Sequence, residues 1–435
     1  MKQRLFGSTG REGGSLVFAQ AVTVFAGIGV GTLLARSLGV EGYGQYVFAL
    51  TIVQVMMVPL DFGLPTLVMR EVAILRTRTD WALLKGLLRW SSTIIAVAVA
   101  MLVIGVLTVN SLTGREDLLY LAAAVLAGVW VYLRLASAVL RGMKQVVQAA
   151  MPDQVIRPLT MLSALVLISL VGALTPARAM ALHALAAAVG LCWAVWMLRR
   201  HSRPILPGQS GKARYAPQLW LRSTLFLGLN MGGGILKQRS DMLMLGILAD
   251  TAQVGLYGFA VLIAGVANMP QTLIKQMIDP RFATAHANNS SPEIERLARL
   301  SARFVVAGSL CVMLTLFFFG GPIVDAVIGV EFSDVIPLAL IVAAGPALGA
   351  AFGPVASILN MTGKEKVTAK QSWISAAVNI SFNALLIPWI GAYGAALATA
   401  CTSFSQRFLL WRAVRAHHGI NPAIFARLFP RKYNA

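Results

Sequence analysis

The sequence predicts an all-α membrane protein in which twelve transmembrane helices form two six-helix bundles around a central cavity. Of its 435 residues, 57% are hydrophobic and 12% are charged, whereas about 25% are charged in an average soluble domain. The mean hydropathy of +0.72 leaves no polar surface for a soluble globule. The apolar residues fall into twelve long stretches, and the two halves of the chain share a short repeat.

Each apolar stretch is long enough for a membrane helix, which needs about 20 mainly apolar residues. The predicted spans lie near residues 15–35, 43–69, 88–109, 118–140, 156–175, 178–198, 221–248, 254–280, 303–328, 335–361, 371–390 and 392–413. Most are uniformly apolar, which favours helices over the alternating strands of a transmembrane barrel. Two connections resemble interfacial helices, one near residues 81–89 and one beginning at Ser291.

The net charge of +20 follows the predicted topology. Lys and Arg concentrate in both terminal segments and in every second connection, whereas the opposite connections contain Arg36, Arg115 and Arg178. Because basic residues favour the cytoplasmic side of a membrane, both termini are expected in the cytoplasm.

The two halves are expected to be bundles of six helices each, at residues 1–200 and 220–415. A cytoplasmic linker at 201–219 separates them, and a basic cytoplasmic tail follows at 416–435. The repeat pairs Gly44 with Gly255, Tyr46 with Tyr257, Ala49 with Ala260, Pro59 with Pro270 and Arg70 with Arg281. With six spans in each half, both repeats enter the membrane in the same direction, as in transporters built from parallel repeats.

Two stretches of the sequence resemble motifs of a known protein family. Residues 34–46 (LARSLGVEGYGQY), followed by 61–64 (DFGL) and 70–71 (RE), resemble the opening of bacterial polysaccharide flippases. Residues 241–246 (DMLMLG) and 254–257 (VGLY) are similar to the junction of the seventh and eighth spans in the same family. The family is the O-antigen and exopolysaccharide (Wzx-like) branch of the multidrug/oligosaccharidyl-lipid/polysaccharide exporter superfamily.

The resemblance implies a flippase that moves undecaprenyl-diphosphate-linked oligosaccharide across the bacterial inner membrane by alternating access. It implies membrane lipids, a polysaccharide polymerase and glycosyltransferases as partners, and no nucleic acid. A multidrug exporter of the same fold and a membrane glycosyltransferase or polymerase remain alternatives. The sequence contains no GxxxxGK[ST] or GxSxG motif and no metal-ligand spacing. We therefore expect no enzymatic activity, cofactor or metal.

Ionisable side chains inside spans are costly and usually mark a substrate or ion site. In the seventh span, Lys237 and Arg239 are candidates for binding a diphosphate or acidic sugar, with Arg134 of the fourth span as a third cavity cation. The alternative is a structural ion pair between Lys237 and Asp241, with Arg239 and Arg134 extending to the membrane surfaces. Asp241 is also a candidate for ion coupling.

Three further residues are candidates for gating or ion coupling. Arg36 lies at the outer end of the first span, where an ion pair with Glu41 is the alternative. Asp61 is placed to bind Na⁺ or a proton, or to cap backbone amides freed by nearby prolines. Lys275 is four residues from Asp279, and an ion pair between them is the favoured interpretation.

Glycine and proline residues inside spans are candidate hinges for a transport motion, although both residues are common in membrane helices. The hinge candidates are Gly233, Pro59, Pro270 and Pro346. His183, on an alanine-rich helix, is expected to have a structural role. Arg407 is expected to extend toward the cytoplasmic surface.

Overall fold

The computed structural model describes residues 2–114, 117–202, 212–288 and 290–425, and within these ranges it contains helices and no β-strand. The chain divides into two compact units, Met1–Ile235 and Leu236–Ala435. The division falls within a helix, downstream of the linker expected at 201–219. Residues 203–211 of that linker and 426–435 of the expected tail lie outside the described ranges.

The first unit is built around a central helix. Its helices are α1 (Lys2–Asp61), α2 (Leu64–Thr77), α3 (Trp81–Thr113), α4 (Leu118–Gly142), α5 (Val146–Met151), α6 (Arg157–Val171) and α7 (Pro176–Ser202). A π-helical turn, Pro152–Ile156, joins α5 to α6. Helix α4 is largely buried from Ala123 to Gly142, because α1, α2, α3 and α7 all pack against it.

Helix α8 (Pro217–Leu248) leads from the first unit into the second. The remaining helices are α9 (Thr251–Ala267), α10 (Met269–Ala287), α11 (Ser291–Val327), α12 (Val335–Ala350), α13 (Val355–Met361) and α14 (Glu365–His418). A hydrophobic cluster in this unit contains Phe282, Phe352 and Trp411 together with Ile420 and Ala423, which follow α14.

Among the described residues, eight helices are long and apolar enough to span a membrane, and the bent pair α9–α10 adds a ninth candidate. Two of the eight contain a break and each cover two predicted spans: α1 is broken at Gly39, and α14 at Ile390–Gly391. Helix α8 lies outside this set and carries four charged side chains. The helices are therefore consistent with the twelve predicted spans, and the all-α membrane fold is confirmed.

Local sequence signals account for several helix ends. The Asp80 carboxylate accepts a hydrogen bond from the Leu83 amide at 3.1 Å and caps the start of α3. Asp250 caps α9 in the same way, accepting from the Gln253 amide at 2.8 Å. Side-chain caps of this kind satisfy backbone donors that the first turn of a helix leaves unpaired.

The segments expected to form interfacial helices are the first turns of the long helices α3 and α11. The start of the expected basic tail packs against α11 and α14. Asn421 is buried, where it accepts a hydrogen bond from the Trp411 indole at 3.0 Å, and its own amide donates to Glu295 at 2.8 Å.

The break in α14 leads to a stability prediction. Gly391 has φ +52°, and a Cβ atom there would lie within 1.7 Å of the Gln253 Oε1 atom. That oxygen accepts the Ala392 amide at 2.8 Å. Gly391→Ala should destabilise the protein by about 1–3 kcal/mol through backbone strain and loss of this contact. Thermal unfolding in detergent measures the effect.

The matched control is Gly105→Ala, because nothing lies within 4 Å of a Cβ built on Gly105. Equal melting temperatures for the two variants would contradict the prediction.

Candidate functional site

The second unit contains a cavity of about 170 Å³ between α10, α11, α14 and the α12–α13 connection. Its polar lining residues are Gln271, Lys275, Ser301, Ser357, Gln406 and Arg407. Two of these are cations, and no carboxylate of the described residues lines the cavity. We call this cavity the C-terminal pocket. Its chemistry suits an anion, because Arg and Lys with amide and hydroxyl donors are the groups that bind phosphates and carboxylates.

Gly349 makes room for the arginine of this pocket. A Cβ atom on Gly349 would lie 2.9 Å from the Arg407 Cγ atom, so the aliphatic part of Arg407 lies directly against the α12 backbone. Among the described residues Arg407 forms no ion pair within 4 Å. The sequence alone suggested that Arg407 extends to the cytoplasmic surface, whereas the structure shows that it lines a cavity.

Lys237 supports the same pocket from α8. Its Nζ atom donates to Gln406 Oε1 at 2.5 Å, and Gln406 lines the pocket. Because its oxygen accepts from Lys237, the Gln406 carboxamide has its NH₂ group as the donor end for other partners. The alternative interpretation, an ion pair between Lys237 and Asp241, is not observed among the described residues.

Asp241 is instead held by neutral groups from three helices. Its Oδ2 atom accepts from the Tyr257 hydroxyl at 2.5 Å and from Thr399 Oγ1 at 3.0 Å. Its Oδ1 atom accepts from the Met242 amide at 3.0 Å. Asp241 is 5% exposed and Tyr257 is fully buried.

Arg239, two residues away on α8, is half-buried and forms no ion pair among the described residues.

Further polar side chains lie in the same region of α8 and α14. Asn379 Oδ1 accepts from Ser240 Oγ at 2.8 Å and from Asn383 Nδ2 at 3.0 Å. All three residues are buried, as is Thr402. Asn379 Nδ2, Asn383 Oδ1 and Thr402 Oγ1 have no hydrogen-bond partner among the described residues. An unpaired buried polar atom costs about 1–3 kcal/mol, so each of these atoms requires a partner such as a water molecule, an ion or a ligand.

In the first unit, two predicted site residues bind each other. The Arg134 Nη1 atom lies 2.6 Å from Asp61 Oδ2, and the side chains are 30% and 7% exposed, respectively. Asp61 is the last residue of α1, and the chain then turns through Phe62 and Gly63, at φ +31° and +83°, into α2. This pair joins α4 to the α1–α2 break. Sequence spacing gave no indication of it.

The break is fixed by its contact with α8. A Cβ atom on Gly63 would lie 2.7 Å from the Gly228 backbone nitrogen, and one on Gly228 would lie equally close to the Phe62 carbonyl oxygen. Two glycines therefore allow the backbones of the break and of α8 to touch. This contact holds the α1–α2 break, which carries Asp61, against α8.

A second polar cluster surrounds the π-helical turn. The Arg157 guanidinium lies 3.0 Å from Asp153 and 3.0 Å from His183 Nε2, and it stacks 4.2 Å above the Trp130 ring. His183 Nδ1 lies 2.8 Å from the Tyr46 hydroxyl. Because arginine only donates, Nε2 is the acceptor and the His183 proton is assigned to Nδ1. The structural role expected for His183 is confirmed.

The position of Arg157 relative to the predicted fifth span differs from the sequence prediction. The predicted span began at residue 156, which left Arg157 beside the cytoplasmic connection. The helical stretch begins instead at Val146 and qualifies as a candidate span through Leu170. Arg157 is therefore well inside it. Asp153, four residues earlier on the same face, was the available sequence signal.

Several other predicted contacts are absent from the described part of the chain. Arg36 and Glu41 are both exposed and unpaired, and Lys275 makes no ion pair with Asp279. Lys275 faces the C-terminal pocket instead.

Three of the four predicted hinge residues lie inside helices, and the fourth lies beside a bend. Helix α8 continues through Gly233, Pro59 lies inside α1 and Pro346 inside α12. Pro270 lies in the first turn of α10, immediately after a 48° bend from α9.

The arrangement of these helices occurs in solved transporter structures. A multidrug resistance MATE family transporter of the MOP superfamily, in an inward-facing conformation, matches with a TM-score of 0.73 and 13% identity, over 91% of this chain and 94% of that one. The lipid II flippase MurJ, in an inward closed conformation, matches with a TM-score of 0.66 and 15% identity, over 92% and 86%. The protein therefore has the fold of the MATE and MurJ transporters.

Comparison of the sequence with protein families identifies the family of this chain. Residues 9–286 match the family model described as polysaccharide biosynthesis protein, and the chain belongs to that family. It is also 23% identical over 381 residues to the probable low-salt glycan biosynthesis flippase Agl15 of Haloferax volcanii, which covers 85% of this chain and 75% of the relative.

The Asp61–Arg134 pair gives a testable prediction for the first unit. Arg134→Gln leaves a buried carboxylate without its cation and should destabilise the protein by about 2–3 kcal/mol, less than a fully buried pair because Arg134 is partly exposed. Asp61→Asn in the same chain removes that carboxylate charge and should restore part of the loss. Thermal unfolding of both single variants and the double variant measures the coupling; strictly additive losses would contradict the ion pair.

Proposed function

We propose that the protein is a flippase that translocates undecaprenyl-diphosphate-linked oligosaccharide across the bacterial inner membrane by alternating access. The product would enter O-antigen or exopolysaccharide synthesis, with glycosyltransferases supplying the lipid-linked glycan and a polymerase consuming it. Family membership and the glycan flippase relative support this proposal. The observation that carries it is the C-terminal pocket, which is lined by two cations and, in the part of the chain that the structure describes, by no carboxylate.

The C-terminal pocket can offset the main energetic cost of flipping, which is the loss of hydration of the diphosphate. A diphosphate cannot enter a low-dielectric region without compensation for its lost hydration. Lys275 and Arg407 supply that compensation together with the Gln406 amide, which Lys237 orients. Because neither cation is neutralised by a carboxylate within 4 Å among the described residues, their charge is available to the ligand.

The same lining argues against the multidrug exporter. A cationic drug requires carboxylates or an aromatic cage, and the lining of the C-terminal pocket contains neither. We therefore infer that this protein, which shares the fold of MATE transporters, carries an anionic rather than a cationic substrate. The role of the protein is transport rather than catalysis, with both termini in the cytoplasm.

We assign ion coupling to Asp241. The hydroxyl oxygens of Tyr257 and Thr399 lie against the Asp241 carboxylate, and carboxylate and hydroxyl oxygens are ligand types that hard cations prefer. The region provides one carboxylate, which suits a monovalent cation or a proton. Asp241 is one helical turn from Lys237 on α8, so a cation bound at Asp241 would act directly on the helix segment that orients the pocket.

Charge removal in the pocket tests the substrate assignment. Arg407→Gln and Lys237→Ala should each reduce polymer export at least about tenfold, because each removes a charge-assisted contact to the diphosphate or its support. Export by cells that depend on the introduced gene is measured, with protein abundance checked by immunoblot. Arg412→Gln is the matched control, because Arg412 is exposed on the same helix.

Normal export by both pocket variants would exclude this site. Drug resistance conferred by the wild-type protein, without export, would favour the multidrug exporter.

Removal of one carboxylate tests the coupling assignment. In proteoliposomes, the wild-type protein should flip the glycolipid faster under a Na⁺ or a proton gradient than without one. Asp241→Asn should flip at one low rate under all conditions, because the cation has lost its charged ligand. Asp325→Asn, which neutralises an exposed carboxylate on α11, should behave as wild type. Gradient-driven flipping by Asp241→Asn would rule out Asp241.

A further inference from the structure

One face of α4 presents three hydrogen-bond donors to a second cavity. Arg134, Ser137 and Arg141 are spaced by three and four residues and therefore share a helix face. All three line a cavity of about 150 Å³ together with residues of α2 and the π-helical turn. We call this cavity the N-terminal pocket. Its other polar lining residues are Thr66 and Asp153.

Ser137 is the member that the fold leaves unexplained. The residue is 5% exposed, and its Oγ atom has no hydrogen-bond partner among the described residues. Helix serines usually satisfy their hydroxyl on the carbonyl four residues earlier, as Thr224 does with Trp220 at 2.6 Å. The Ser137 hydroxyl makes no such bond among the described residues, and Ser137 lines the cavity, so its hydroxyl is placed to donate to a ligand.

The two arginines retain donors for that ligand. Arg134 gives one nitrogen to Asp61, and a guanidinium carries five N–H groups. Arg141 is exposed at the end of α4 and forms no ion pair among the described residues. The one carboxylate in the lining, Asp153, is already engaged by the Trp130 indole at 3.2 Å and by Arg157 at 3.0 Å.

The sequence repeat places the two pockets on equivalent elements. Arg70 and Arg281, which the repeat pairs, lie on α2 and α10, and these helices line the N-terminal and C-terminal pockets. The fourth predicted span of each half, α4 in one and α12–α13 in the other, forms the facing wall. Each unit therefore has a cation-lined cavity to which its second and fourth predicted spans both contribute.

We propose that the N-terminal pocket is a second phosphate-binding site, in which Arg134, Ser137 and Arg141 bind a phosphate group. Arginine binds phosphate through paired N–H donors, and the serine hydroxyl adds a third direction. That this phosphate belongs to the glycolipid diphosphate, taken up before translocation, rests on the proposed function. A phosphate of a membrane lipid has the same chemistry.

Binding of inorganic pyrophosphate to the purified full-length protein in detergent tests the site. Lys275→Gln with Arg407→Gln removes the cations of the C-terminal pocket, and this parent variant should still bind pyrophosphate. Adding Arg141→Gln should weaken the remaining binding about tenfold, and adding Ser137→Ala about threefold to fivefold. Arg78→Gln is the matched control, because Arg78 is exposed and does not line the pocket.

Loss of all binding in the parent variant would overturn the proposal, as would equal affinities for the Arg141, Ser137 and Arg78 variants. Equilibrium dialysis of the otherwise wild-type chain provides a second measurement: the wild-type chain should have two tight sites for pyrophosphate, and Arg141→Gln should leave one tight site and one about tenfold weaker. Two equally tight sites in the variant would also overturn the proposal.

Competition distinguishes the two sources of the phosphate. Displacement of pyrophosphate by a short prenyl diphosphate supports a substrate site, and displacement by short-chain phosphatidylglycerol supports a structural lipid site. Either result is consistent with the proposed contacts. Failure of the proteoliposome flipping assay, with pyrophosphate binding intact, would reject the proposed function and leave this site standing.

Discussion

The cost of placing charge away from water shapes this molecule more than any other constraint. An ion in a low-dielectric environment requires an opposite charge or a full set of hydrogen bonds. Asp61 meets this requirement with Arg134, and Asp241 meets it with two hydroxyls and a backbone amide. Arg239 and Arg407 are half-buried cations that have no carboxylate within 4 Å in the part of the chain that the structure describes. In the proposed function, Arg407 meets the requirement by binding the phosphate of the substrate.

The breaks between helices and the π-helical turn lie next to the charged side chains described above. The α1–α2 break carries Asp61, and the α12–α13 break forms a wall of the C-terminal pocket. The π-helical turn is followed directly by Arg157. Each break frees backbone groups and redirects side chains that a continuous helix would point elsewhere. Helices thus supply the membrane fold, and their interruptions position the polar groups inside it.

Apolar stretches were sufficient to predict the helices, because membrane insertion depends on local composition. The predicted stretch 335–361 coincides with the limits of α12 and α13. Side-chain partners were not predictable in the same way. Spacing along α8 suggested that Lys237 would bind Asp241, whereas its partner is Gln406, far along the chain on α14. Such contacts depend on how helices pack, and one sequence contains no direct record of that packing.

The repeat-related tyrosines Tyr46 and Tyr257 show how the two halves have diverged. Both are buried, but Tyr46 contacts a neutral histidine whereas Tyr257 contacts a carboxylate. In the proposed mechanism, the second arrangement exchanges the coupling cation, and its single carboxylate binds one monovalent ion per transport cycle. One monovalent ion delivers about 2.3 kcal/mol per 100 mV of membrane potential. That quantity, with the concentration gradient of the ion, limits how far the protein can drive its substrate against equilibrium.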